Sequence, residues 1–195
     1  MNIEEIKSVL KKKTVGIAGA GGLGSNCAAS LTRVGIGKLV IADYDCVDES
    51  NLNRQFYFYH QIGKKKVEAL IENLLLINPE LLVEAHDVVL EPDNIIPIFK
   101  DCDVIVEAFD KADQKKMLIE CVTEYLPMLP VIIGLGMAGY GNSNNLKMEK
   151  YGKLYICGDR QSEITEFYPP LSPRVGIVAH IQANTVLEIL LNPTN

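Results

Sequence analysis

Apolar residues along this chain follow two rhythms that alternate. Short continuous runs bounded by turn residues predict buried strands: TVGIAGA (Thr14 to Ala20), KLVIAD (Lys38 to Asp43), CDVIVEAF (Cys102 to Phe109) and PVIIGLG (Pro130 to Gly136). LLVEAHDVVL, from Leu81, reads as a further strand. Between these runs the period lengthens to that of a helix. GGLGSNCAASLTRVG carries small and apolar residues, with Gly35 placed to end it. Asn78-Pro79 stops the helix expected in GKKKVEALIENLLLINP. KADQKKMLIECVTEYL is another helix, PDNIIPIFK a short helix or turn, and MNIEEIKSVLKKK a charged amphipathic helix.

Strand and helix in alternation, with continuously apolar strands, require a mainly parallel sheet covered on both faces. Right-handed crossovers make that an α/β, Rossmann-like doubly wound domain. The pattern breaks at Gly139 to Pro170. There GYGNSNNLKMEKYG is rich in glycine and asparagine and reads as a loop or mobile segment, with KLYICG as an outlying strand. SPRVGIVAHIQANTVLEILL closes the chain as a long helix, with Ser172 as its cap and Pro173 at its first position. With no internal repeat or boundary, residues 1–195 read as a single domain.

Composition narrows the classes. The 195 residues are 48% hydrophobic and 23% charged, which suits a globular core. A formal charge of -6 argues against nonspecific nucleic-acid binding. No uninterrupted apolar run approaches a membrane span, and the first helix lacks an apolar signal core. The five cysteines are scattered without a Cys-x-x-Cys pair and the three histidines are dispersed. This pattern suits a reducing cytoplasm and offers no zinc site.

Gly19, Gly21, Gly22 and Gly24 form G-x-G-x-x-G between a strand and a helix, where backbone N–H groups can receive phosphates. Asp43 follows about 20 residues later at the end of the second strand, placed to hold ribose hydroxyls. These features do not separate a dinucleotide from ATP. Breaking a phosphate bond requires more than hydride transfer does, namely cationic donors and a carboxylate for Mg²⁺. Asn51, Arg54 and Lys66 supply donors near the second strand's C-terminal end, and Asp110 follows the VIVEAF strand at the same edge. Other readings stand beside these. Lys64, Lys65 and Lys66 suit a solvated helix start, Asp110 could cap the next helix, and Arg54 could pair with Asp45, Asp48 or Glu49.

Taken together, GAGGLGS, DYDCVDESNLNRQ, GKKK and PRVGIVAHIQANTVLEIL resemble the ThiF/MoeB family of ubiquitin-activating-like adenylyltransferases. The resemblance runs from about Lys13 to Leu191, and the D-x-D-x-V-x-x-S-N-L-x-R-Q segment is its most specific part. The short chain is most similar to the compact ThiS adenylyltransferases of thiamine biosynthesis. This resemblance implies ATP on the glycine loop, ribose on Asp43, phosphates on Asn51, Arg54 and Lys66, and Mg²⁺ on Asp110. It implies a second substrate, a small ubiquitin-like sulfur carrier ending in Gly-Gly, and a homodimer. A MoaD-like carrier in molybdenum-cofactor synthesis, a noncatalytic carrier-binding pseudoenzyme and an NAD-dependent oxidoreductase are the alternatives.

The chain departs from the family in two ways. The paired cysteines that hold zinc in many members are missing, so no zinc is expected. No arginine precedes Arg33, so the N-terminal arginine that reaches a partner's ATP in many members is absent or replaced. Some thiamine-branch members form a covalent link to the carrier through a later cysteine. Cys157 lies in that region but outside the matching motif, and a small buried hydrophobe is its other reading. His180, in an apolar helix, reads as packed rather than catalytic.

Overall fold

The computed structural model describes residues 1–192. In chain order the elements are α1 (Ile3–Leu10), β1 (Thr14–Ala18), α2 (Gly22–Arg33), β2 (Lys38–Ala42), α3 (Lys66–Ile77) and β3 (Leu82–His86). They continue as α4 (Pro92–Phe99), β4 (Val104–Glu107), α5 (Ala112–Tyr125), β5 (Val131–Gly134), β6 (Lys147–Tyr151), β7 (Leu154–Gly158) and α6 (Ser172–Leu191). Seven strands form one sheet in the order β3-β2-β1-β4-β5-β7-β6. All neighbours run parallel except β6 and β7. This is the doubly wound α/β sheet expected from the sequence.

Both faces of the sheet are covered, which explains the continuously apolar strands. Val15, Ile17, Leu39, Ile41, Val104 and Val106 join Leu31, Leu70, Leu74 and Val178 in one core. The alternate positions Val40, Ile105, Val131 and Ile133 join Ile95, Phe99, Leu118 and Val122 in the other. The period of two along each strand thus divides its apolar residues between two layers.

Local chemistry sets several ends. Asn2 and Glu5 form a capping box at α1. After α2, Gly35 turns the chain with φ +90°, a region that penalises other residues. Asn78 closes α3 as expected. At α6 the cap position falls to Leu171, whose side chain makes no capping bond, and Ser172 is already helical.

The Gly139 to Pro170 segment corrects the sequence expectation. Lys147–Tyr151 is a strand, paired antiparallel with β7 through a turn at Gly152, where φ is +62°. KLYICG is not outlying, since β7 lies between β5 and β6. Residues 159–171 then run back along the loop after β5, Arg160 N bonding to Leu135 O and Gly139 N to Pro169 O. Arg174, buried in α6, pairs with Asp159 and donates to the carbonyl of Gly141. Burial would raise the Asp159 carboxyl, but bonds from Ser162, Gln161 and Arg174 outweigh it and hold it below the usual carboxylate range.

By length and composition alone, α6 could cross a membrane, yet half of its apolar window is buried in the fold. His180 differs from expectation. It lies on the exposed side of α6, its Nδ1 against Gly176 O, because α6 buries only the stripe facing α2 and the sheet.

Candidate nucleotide site

Strand order reverses between β1 and β4, so the loops leaving these two strands open from a common crevice. The glycine loop forms one wall. Gly19 has φ +99°, and a side chain there would come within 3.0 Å of Ala108 O in the loop after β4. At Gly24 even a methyl group would collide with the carbonyl oxygen of Gly19. These glycines permit both the turn and the close approach of α2. No side chain caps the α2 N-terminus at Gly21, leaving donors for an anion.

The segment after β2 folds against this loop. Ser25 Oγ accepts from Phe56 N at 3.0 Å, and Asn26 Nδ2 donates to Arg54 O at 2.9 Å. Arg54 therefore lies over Gly22, its Cγ 3.5 Å from where a Gly22 Cβ would stand. Its Nη1 donates to Ser50 O and Asn53 Oδ1, at 3.0 and 2.8 Å. Among the described residues no acid pairs with Arg54, so the alternative reading, a surface network with Asp45, Asp48 or Glu49, is not formed. Asn51 Oδ1 accepts from Asp48 N, closing a capping box on a short 3₁₀ turn. Beside Gly21, the buried Gln55 Oε1 has no protein partner.

Asp43 and Lys66 belong to a hydrogen-bonded circuit beneath the glycine loop. Asp43 accepts from Ala20 N at 2.6 Å and from Asp45 N at 2.8 Å. Asp45 Oδ2 accepts from Lys66 Nζ at 2.7 Å, and Lys66 is 6% exposed. Tyr57 closes the circuit, its hydroxyl 2.7 Å from Ala20 O and 3.3 Å from Lys66 O. Burial raises the Asp43 carboxyl above its usual range despite nearby Lys66. Lys64 and Lys65 pair with Glu72 and Asp87 at the surface, as a solvated helix start would.

Asp110 is exposed at the end of the loop after β4. It does not cap α5: the cap position is Lys111, and no side chain bonds there. The turn leading to Asp110 is held from below by fully buried Glu107, which accepts from Phe109 N at 2.6 Å and from Lys115 Nζ at 2.9 Å. Cys157 is fully buried beneath α6, 3.9 Å from Thr185 Oγ1. Burial pushes its thiol up to about 11, which suppresses the thiolate.

Gly19, Gly21, Gly22 and Gly24 thus meet Asp43 and Arg54 along one edge, with the loop leading to Asp110 against Gly19, while Asn51 is held in its own 3₁₀ turn just before Arg54. Lys66 lies below them and Cys157 is enclosed elsewhere. Tyr57, Ser25, Asn26, Glu107 and Lys115 escaped the sequence reading. Only Asp45 had left a signal, its D-x-D spacing from Asp43. Among the described residues, no three of His, Cys, Asp and Glu gather to hold a metal ion.

Residues 3–195 match the ThiF family. The chain belongs to this family. Among its relatives, ubiquitin-like modifier-activating enzyme 5 of Drosophila willistoni is 46% identical over 87 residues, 45% of this chain and 21% of that protein. The Bombyx mori enzyme 5 is 38% identical over 117 residues, 60% of this chain and 29% of that protein. The chain thus spans less than a third of these relatives' length.

Solved structures share the ThiF-family fold. The E. coli tRNA N6-threonylcarbamoyladenosine dehydratase TcdA, in complex with AMP, superposes with a TM-score of 0.89 at 18% identity, covering 97% of this chain and 90% of that one. E. coli MccB with ATP gives 0.72 at 24% identity, covering 95% and 57%.

Proposed function

We propose that this ThiF-family chain is a nucleotidyltransferase that uses ATP to adenylate a carboxylate. The observation that carries this reading is the single crevice at the β1–β4 reversal. It combines an uncapped glycine-loop helix, Arg54 over Gly22 and Asp110 on the facing loop. The residues fit a nucleotide. The loop excludes side chains where phosphates would approach, and the orphaned Gln55 Oε1 offers a buried acceptor at its edge. Asp110, an exposed hard carboxylate, suits Mg²⁺ shared with phosphate oxygens, and the ion would neutralise charge on the leaving group. An oxidoreductase would leave Arg54 and Asp110 without a role.

The chain's own groups bind and orient. The N–H groups at the start of α2, the Arg54 guanidinium and Asn51 would hold phosphates, while Asp43 would hold the ribose. The attacking carboxylate is already ionised at neutral pH and needs no general base. Its oxygen would bond to the α-phosphorus as the bond to pyrophosphate breaks, giving an acyl-adenylate. Positioning and charge stabilisation then account for the acceleration.

The second substrate we assign is the C-terminal glycine of a small ubiquitin-like sulfur carrier, ThiS-like and serving thiamine synthesis. A MoaD-like carrier is the alternative. The enzyme 5 relatives support a ubiquitin-like partner. Charge pairing favours protein over RNA, because Lys64, Lys65, Lys66 and Arg160 are matched by acids. A homodimer and a reducing cytoplasm complete the proposal. The test is exchange of labelled pyrophosphate into ATP with a ThiS-like protein, a MoaD-like protein or tRNA. Exchange with the first supports the adenylation and carrier assignments, and exchange with another reassigns the substrate. Absence of exchange and of ATP binding by the folded chain overturns it.

A further inference from the structure

Tyr57 lies outside every nucleotide-contacting position considered so far, yet it holds the glycine loop from behind. Its side chain is buried, with 6% of the residue exposed. Its hydroxyl meets Ala20 O at 2.7 Å and Lys66 O at 3.3 Å. A phenol has one proton, so the shorter contact defines the main bond and the second carbonyl shares it weakly. Ala20 sits between Gly19 and Gly21, and its N–H is held by Asp43 at 2.6 Å. Both polar groups of this residue are therefore anchored, one by a carboxylate and one by a phenol 37 positions away.

The anchoring matters because the flanking residues are glycines. Gly19 already occupies φ +99°, and Gly21 places no side chain against the loop. Glycine peptides rotate readily, so a free Ala20 carbonyl would let the loop sample poses in which its N–H groups turn away from the crevice. Burial, followed by the nearby Asp43 and Asp45 carboxylates, keeps the Tyr57 phenol neutral and able to donate.

We propose that Tyr57 is a positioning residue that orients the glycine loop for phosphate binding through its bond to Ala20 O. The role rests on the nucleotide reading above, and its test separates the two. Tyr57→Phe keeps the ring that packs in the core and removes only the hydroxyl. Hydrogen exchange without ligand should show the amides of Gly19 and Ala20, which bond to Ala42 O and Asp43, exchanging about tenfold faster, with core amides such as Ile105 unchanged. Titration with AMP and with ATP should show affinity weakened by a similar factor for both, about three- to tenfold. Unchanged loop exchange, or exchange that rises uniformly, overturns the proposal. Local loosening with unaltered affinity overturns it as well. If the wild-type chain binds neither nucleotide, the nucleotide reading fails, and so does the phosphate-binding role assigned to Tyr57.

Discussion

Lys66 Nζ lies 2.7 Å from Asp45 Oδ2, with the lysine side chain 7% exposed and the aspartate 46% exposed. This half-open pair separates stability from turnover. Removing one partner of an ion pair strands the other, at a cost set by burial, so half-solvated Asp45 loses little without Lys66 whereas buried Lys66 loses more without Asp45. Lys66→Met should leave unfolding free energy within about 1 kcal/mol of wild type, while lowering exchange turnover about tenfold or more. Asp45→Asn, which strands the ammonium, should cost about 1–2 kcal/mol, discounted for the open side of the pair. Urea unfolding and exchange kinetics on both variants check this. Equal stability losses would contradict it.

Asp110 is exposed and caps nothing, so Asp110→Ala should change stability by no more than about 0.5 kcal/mol. Pyrophosphate exchange should nevertheless disappear. Arg54→Ala should reduce turnover by about a hundredfold, as loss of a charge-stabilising donor does. Thermal unfolding alongside steady-state kinetics distinguishes these effects from misfolding.

Gly24→Ala should act through geometry. The added methyl collides with Gly19 O, a backbone atom that can retreat only by moving the loop. A loss of about 1–3 kcal/mol is expected from the overpacking. Nucleotide affinity, read by calorimetric titration, should fall with it.

Acid should loosen the segment that Asp159 ties to α6. The Asp159 carboxyl is held below its ordinary value in the folded chain. Its contribution is therefore present above the unfolded value of about 4 and is lost as pH falls through the lower folded value. Asp159→Asn should cost about 3 kcal/mol at pH 7 by stranding buried Arg174. That difference should shrink toward zero in strong acid. Stability curves from pH 2 to 7 for both proteins test the sign.

Alkylation should discriminate among the thiols. Exposed Cys46 should react with iodoacetamide well before Cys157, which is buried and raised to about 11. Cys157→Ala should retain pyrophosphate exchange, since adenylation as proposed uses no thiol. Peptide mass spectrometry gives the order of labelling.

The strands at the centre of the sheet were legible because burial on both faces makes them continuously apolar. β6 was not, because an edge strand is half solvated and Lys147, Glu149 and Lys150 resemble a loop. Gly152 was the available signal for the hairpin. His180 was misplaced for the opposite reason: α6 is apolar nearly all round, and only its neighbours decide which stripe is buried. At the site, the glycine loop and Asp43 declare themselves by spacing. Tyr57 does not, since its partner is a distant backbone carbonyl, and the Asp45–Lys66 pair depends on a turn that spacing alone does not define.

α6 begins against the glycine loop, where Val175 Cγ1 lies 3.0 Å from the position a Gly22 Cβ would take. From there twenty residues run to Leu191, a rod about 30 Å long. A tilt of a few degrees at its first turn would displace Glu188, exposed near the far end, by about 2 Å. The helix thus links the glycine loop to a site near its far end, and a fluorophore at Glu188 would test whether loop movement is carried along it.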